Sequence, residues 1–284
     1  MDPRLLEEIK RNIDSALKED EAFSDITTTA CLEKENGVAT LLLKEEGVIA
    51  GLPLIPLIVH ALDPEITVEF LVKEGTHLKP GPVARIKGTI HSLLAVERTL
   101  INFIQHITSI ASNTTKYVQA AQGKCDILDT RKTMPGHRYL QKYAVEIGGG
   151  KNHRLHLADQ ILIKDNHLTY NTIGDAIKKA RQKYPGKRVE IEVENLDMFE
   201  EALKHQPDAI LLDNMSPKEI SQATKKNLEG IYLEASGNIK LSNICSYADT
   251  DVNGISIGAL THSVKAIDMS LEIKVPAFFC LSTN

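Results

Sequence analysis

Residues 131–154 read RKTMPGHRYLQKYAVEIGGGKNHR, with six Lys and Arg, two His and a single acid, Glu146. The chain as a whole holds 33 Lys and Arg against 38 Asp and Glu, so this run concentrates positive charge in a mildly acidic protein. Arginine forks bind carboxylates and phosphates in bidentate fashion. The run therefore suits a small, multiply anionic ligand, with a solvated basic surface as the alternative. Gly148, Gly149 and Gly150 precede its second basic group, residues 151–154. Three glycines permit close backbone approach, and their N–H groups are expected to face an anion.

Further along, single residues of distinct chemistry follow short apolar runs. Lys164 ends ILIK, where a lysine serves as a Schiff-base nucleophile, a phosphate ligand or a member of a core-edge ion pair. Glu192 and Glu194 stand two apart on a strand-like run and so share a face. With Asp213 they offer carboxylates for ribose hydroxyls or Mg²⁺, or for ion pairs with the basic run. Ser236, Gly237 and Gly258 are small residues that leave backbone N–H groups exposed, as a phosphate site requires. Arginines for carboxylates, carboxylates for hydroxyls or metal, and small residues for phosphate together ask for a sugar phosphate and a polycarboxylate. Neither a Ser-His-Asp order nor HExxH competes.

Such residues must be presented by a common scaffold. Lys164, Glu192, Asp213, Ser236 and Gly258 mark successive run ends at steps of 28, 21, 23 and 22 residues. That is one strand–helix unit per step and predicts a parallel sheet with helical crossovers. Closed into an α/β barrel, the sheet carries its chemistry at the strand C-termini; a doubly wound open sheet would do the same. Six strand-like runs are clear, whereas a full eight-stranded barrel takes about 250 residues, so an incomplete barrel is expected. Residues 1 to about 90 read differently: a helix over 3–18, then short strands in GVATLLLKEEGVIAG, ITVEFLVKEGTHL and PVARIKGTI. Ser92 is the expected cap of a long connecting helix over 93–122.

At 284 residues, 42% hydrophobic and 25% charged, the chain has ample core for one large domain or two ordinary ones. Net charge of −5, no Trp and 5% aromatics exclude a general nucleic-acid binder. Cys31, Cys125, Cys245 and Cys280 form no CxxC pair, which argues against a structural zinc site and for reduced thiols. The charged N-terminal stretch lacks an apolar signal core, and the apolar run GVIAGLPLIPLIVHAL is broken by prolines. Neither targets a membrane, and a soluble cytoplasmic protein is expected.

The stretches DTRKTMPGHR, KYAVEIGGGKNHR, LIKDNH, VEN, LLDNM, LEASGN and GALTHS closely resemble the quinolinate phosphoribosyltransferase family. SDITT at 24–28, EEGVIAG at 45–51 and VERTLINF at 96–103 match as well, so the resemblance covers nearly the whole chain in order. It implies an α/β fold: an N-terminal α/β sandwich domain over 1–108, completed by the C-terminal tail 266–284, and an incomplete α/β barrel over 109–265, of the type II phosphoribosyltransferase kind. It implies transfer of phosphoribose from phosphoribosyl pyrophosphate to quinolinate, with loss of CO₂ and pyrophosphate, giving nicotinate mononucleotide for NAD synthesis. By the same resemblance, Arg131, Lys132, His153 and Arg154 bind quinolinate and Lys164 lies near both substrates. Glu192 and Asp213 hold ribose hydroxyls, while Ser236, Gly237, Gly258 and His262 take the 5′-phosphate. Lys132, Lys164, Glu192 and Asp213 are the catalytic set. Arg98 is implied to reach a neighbouring subunit's site, in a homodimer or a larger oligomer of dimers. Mg²⁺ is expected to travel with the pyrophosphate rather than on a protein metal site.

Met134, His137, His156, Asn238 and Gly254 depart from the family pattern without removing a charged ligand. Two other enzymes are weighed: a paralogue of the same fold associated with molybdate transport, and a Schiff-base aldolase using Lys164. A non-catalytic phosphate-ligand binder is the third alternative.

Overall fold

The computed structural model describes residues 3–274. In chain order its strands are β1 (Asn36–Leu43), β2 (Gly47–Val48), β3 (Thr67–Phe70), β4 (His77–Leu78), β5 (Gly81–Thr89), β6 (Asp126–Leu128), β7 (Ile161–Ile163), β8 (Val189–Val193), β9 (Ala209–Asp213), β10 (Tyr232–Ser236), β11 (Gly254–Ser256) and β12 (Met269–Lys274). The chain divides into two compact units, one of residues 1–113, 134–148 and 264–284, the other of 114–133 and 149–263.

In the first unit an antiparallel sheet runs in the order β12-β1-β5-β3. Alternate residues of β1 are buried, among them Ala39, Leu41 and Leu43, as a half-covered strand requires. The helix Pro3–Glu19 buries Leu5, Ile9, Ile13 and Leu17, a spacing of four that forms one apolar stripe. The short helix Ile26–Cys31 begins at Asp25, whose Oδ1 accepts the N–H groups of Thr27 and Thr28 at 3.0 Å. The SDITT motif is thus a helix cap. The long helix Ile90–Ala121, about 48 Å at 1.5 Å per residue, starts earlier than expected. Thr89 rather than Ser92 caps it: Thr89 Oγ1 accepts the Ser92 N–H at 3.1 Å, while Ser92 Oγ donates to Asp63 Oδ2 at 2.5 Å.

Segment 134–148 groups with this first unit rather than with the barrel residues on either side of it in sequence. The cause is two buried or half-buried acids. Glu8 accepts the N–H groups of Tyr139 and Leu140 at 3.2 and 2.9 Å, capping the helix Arg138–Ile147 from outside. Glu74 Oε1 accepts the Tyr143 hydroxyl at 2.5 Å. The expected tail over 266–284 enters through β12, which pairs antiparallel with β1; residues 275–284, Cys280 among them, lie outside the described residues.

The second unit is a six-stranded parallel sheet in the order β6-β11-β10-β9-β8-β7. Every consecutive strand pair is adjacent except β6 and β7, and β6 pairs instead with β11. A sheet that curls until its last strand meets its first, with one seam left unpaired, is an incomplete α/β barrel. Lys151 makes an isolated parallel bridge to Leu128 on the open side of β6. Among the described residues no helix is long and apolar enough to cross a membrane.

Candidate active site

Parallel strands send all their C-terminal ends to one rim, and residues just past those ends converge there. Arg131 and Lys132 follow β6, Lys164 follows β7, Glu192 and Asp213 stand near the ends of β8 and β9, and Ser236 ends β10. All six line one cavity of about 380 Å³ in the second unit, together with His153 and Arg154. Leu162 and Leu211 supply an apolar wall, a surface suited to the face of a flat ring.

The cations are held from below. Asp129, fully buried, accepts the His153 N–H at 2.9 Å. Arg154 is nearly buried, and its Nη1 donates to the Gln160 carbonyl at 3.3 Å. Burial, and then Arg131 beside it, hold its guanidinium below the usual range; two cations pressed together in a partly dry site are poised for an anion. Lys132 is kept at the rim by its carbonyl, which accepts the Thr261 hydroxyl at 2.8 Å.

Lys164 Nζ donates to Glu192 Oε2. That contact makes Lys164 a member of an ion pair at the strand ends. Glu192 and Asp213 sit on adjacent strands, with Glu192 paired to Leu211 and Val193 to Leu212. Asp213 Oδ2 accepts the Asn214 amide at 2.7 Å. Glu194 falls beyond β8 and is exposed; the face that Glu192 shares is completed by Glu190 instead.

The small residues each have a steric cause. Gly237 holds φ +94, and a Cβ there would meet Asn214 Oδ1 at 2.2 Å. A Cβ on Gly258 would come within 3.0 Å of both Lys132 Cδ and the His262 ring. His262 ends the short helix Ala259–His262, exposed, with Nδ1 2.7 Å from Ser263 Oγ. None of the three glycines of the triplet lines this cavity. Gly148 closes the helix Arg138–Ile147 with its N–H on the Ala144 carbonyl, and Gly149 turns the chain at φ +86.

Arg98 belongs to the first unit, where it is exposed on the long helix with Nη2 3.8 Å from Glu97 Oε1. Met134 and His137 also lie in the first unit. The His137 ring is tilted against Phe103 at 6.5 Å, and burial holds its imidazole below the usual range. Asn238 keeps the left-handed turn that a glycine would make, at φ 55, and donates to Asn214 Oδ1 at 3.1 Å; asparagine tolerates that region. Gly254 makes room for an aromatic from the next strand, since a Cβ there would lie 2.3 Å from the Tyr232 hydroxyl. His156 accepts the Asp159 N–H at its carbonyl, 3.3 Å away.

Glu190 and Glu234, both buried, were not singled out by sequence reasoning. Their signal was in the alternation: Glu190 precedes Glu192 by two in VEIEV, and Glu234 precedes Ser236 by two in YLEAS. Period two puts each on the face of a site residue.

The model for the quinolinate phosphoribosyl transferase N-terminal domain matches residues 25–108, and that for the C-terminal domain matches 110–272. A nicotinate-nucleotide pyrophosphorylase (carboxylating) of Mycobacterium leprae is 39% identical over 269 residues, covering 91% of this chain and 94% of that protein. A probable enzyme of the same name from Bacillus subtilis is 37% identical, covering 94% and 93%. Among solved structures, the nicotinate-nucleotide pyrophosphorylase of Francisella tularensis matches with a TM-score of 0.91 and 38% identity, covering 94% of this chain and 96% of that one.

Proposed function

Because this chain belongs to the quinolinate phosphoribosyl transferase family, we propose that it joins quinolinate to the phosphoribosyl group of phosphoribosyl pyrophosphate and decarboxylates the product to nicotinate mononucleotide, in NAD synthesis. The observation that carries this reading is the sorting of charge within one cavity. Arg131, Lys132, Arg154 and Lys164 supply cations, and Glu192 and Asp213 supply adjacent carboxylates.

Quinolinate is a flat dianion. Arg131 and Arg154 are assigned to its two carboxylates, with the ring against Leu162 and Leu211. Glu192 and Asp213 take the ribose hydroxyls and stabilise the positive charge that develops at C1 as pyrophosphate departs. The ring nitrogen forms the bond to C1 and becomes cationic. The C2–carboxylate bond then breaks, CO₂ leaves, and the electron pair that stays on the carbon beside that cationic nitrogen takes up a proton from solvent to give C2–H. Lys132 joins the arginines at quinolinate, and Lys164, positioned by Glu192, offsets the negative charge of the pyrophosphate, whose Mg²⁺ arrives with it as part of the substrate. Ser236, Gly237, Gly258 and His262 are assigned to the 5′-phosphate. The active unit is a homodimer or a larger oligomer of dimers, with Arg98 lent to the partner's site. A cytoplasmic setting is supported by free thiols at Cys31, Cys125 and Cys245.

Incubation with quinolinate, phosphoribosyl pyrophosphate and Mg²⁺ should yield pyrophosphate, CO₂ and nicotinate mononucleotide in equal amounts. Nicotinate should be a much poorer acceptor, because it leaves one buried guanidinium without its partner, a loss of several kcal/mol, roughly 3–5. Equal turnover of the two acids would refute the assignment.

A further inference from the structure

Next to the substrate cavity lies a second cavity of about 230 Å³. His153, Arg154 and Glu234 line both spaces, so these side chains connect the two. Glu190 on β8 and Glu234 on β10 are 1% and 2% exposed. With His153 they present donor atoms that all lie within 4.8 Å of one another. His153 Nε2 stands 3.1 Å from Glu190 Oε2 and 3.6 Å from Glu234 Oε1. Gln160 Nε2 donates to the same Glu190 oxygen at 3.1 Å, and the Gln160 carbonyl accepts Arg154 Nη1. The Oε1 atoms of both acids are buried without a hydrogen-bond partner.

The backbone N–H of Arg154 donates to His153 Nδ1 at 2.7 Å. A ring nitrogen that accepts carries no proton, so the proton of the neutral imidazole sits on Nε2 and points at Glu190. A protonated Nε2 has no lone pair for a metal ion, which turns a His–Glu–Glu cluster away from metal binding. The charge of the acids is then relieved by a proton at lower pH, since two carboxyls this close and this dry resist ionising together. We propose that Glu190 and Glu234 are positioning residues that share one proton and hold His153, and through Gln160 also Arg154, in place against quinolinate. The role at quinolinate rests on the function proposed above.

Glu190 accepts from both His153 and Gln160, which places the shared proton on Glu234. Burial first, then the Glu190 charge, push the Glu234 carboxyl up to about 7, against His153, a bond from Ser256 on β11 and Arg188. Facing it around the chamber are Glu190 on β8, Asp126 on β6, Arg188 in the turn into β8, and Lys151, His153 and Arg154 on the loop before β7. Tyr232 lies on its own strand, with Arg188 stacked over the ring at 4.7 Å. Below pH about 7 the pair carries one negative charge, and above it two. The second charge lies near Arg154 and lowers the potential that holds a dianion. Quinolinate affinity should therefore fall at least tenfold as the pH rises through that range, since one unit charge acting on another from about 12 Å at an effective dielectric of about 20 already gives that factor.

Calorimetric titration of quinolinate across this range tests the idea without turnover. Glu234→Gln, an isostere of the protonated acid, should abolish the fall; Glu190→Gln, which removes the neighbouring charge, should move it to lower pH. Infrared difference spectra of the unaltered protein should lose one protonated-carboxyl band over the same range, a measurement that needs neither variant nor substrate. An unchanged fall in Glu234→Gln, a missing band, or a stoichiometric metal ion retained by the purified protein would each overturn the proposal. A band that titrates in a protein that never binds quinolinate would support the shared proton and overturn the proposed function instead.

Discussion

Arg131 and Arg154 come from opposite sides of the 134–148 excursion, yet both reach one cavity. Each offers a planar fork to a carboxylate, and charge-assisted bonds of this kind contribute about 1.5–3 kcal/mol. Arg131→Ala and Arg154→Ala should each weaken quinolinate by about 10–150-fold while weakening phosphoribosyl pyrophosphate less. Separate titrations of the two substrates measure this, and the opposite selectivity would assign the basic cluster to the other substrate. The charged residues of the rim were legible in the sequence because each follows a strand-like run and so occupies a strand end. Glu190 and Glu234 were not, for a physical reason. On a flat sheet, alternate acids such as those in VEIEV mark a solvated face. Only when the sheet curls does that face become the dry interior, and the curl is set by pairing β6 with β11, which no local pattern encodes.

At the scale of elements, even spacing between strand ends revealed the parallel sheet, and the apolar stripe of the helix Pro3–Glu19 was equally plain. Helix boundaries were less so. Ser92 has the chemistry of a cap, but Thr89 occupies the capping position, and Ser92 is engaged by Asp63 from outside the helix. That partner is distant in sequence, so local preference pointed to the wrong hydroxyl. Loss of a cap costs about 1 kcal/mol, which in a chain of this size lowers the melting temperature by roughly 2–4 °C. Thr89→Ala should show that shift by calorimetry and Thr89→Ser should show much less; equal shifts would mean that the methyl group, not the hydroxyl, supports the helix. The glycine triplet misled for a related reason. Its outward sign, small residues before a basic pair, is shared by anion loops and helix ends, and the helix Arg138–Ile147 supplies the end.

For the whole molecule, the proposed shared site makes a countable prediction. Arg98 stands on the first unit and the remaining ligands on the second. Chains bearing Arg98→Ala or Arg131→Ala should each be nearly inactive alone. In a mixed dimer with two-fold symmetry, one site collects both defects and the other has none. Subunit exchange should then restore up to about half of the wild-type activity per mixed dimer, read by following activity while exchange is monitored separately. Exchange without recovery would mean that Arg98 serves its own chain, for example through Glu97, 3.8 Å away.

Leu41 of β1 pairs with Leu271 of β12, and Leu43 with Met269. A ribosome delivers residues at about 5–20 per second, so the inner strand of this sheet waits on the order of ten seconds or more for its neighbour. Until then β1 has β5 on one side and an open row of N–H and C=O groups on the other. The second unit, residues 114–133 and 149–263, is synthesised in full before β12 and can be complete while the first unit still lacks that strand. A nascent chain stalled after residue 263 would thus pair a finished charged rim with an open strand edge prone to aggregation. β12, the last of the described strands, is the one that covers the open side of β1.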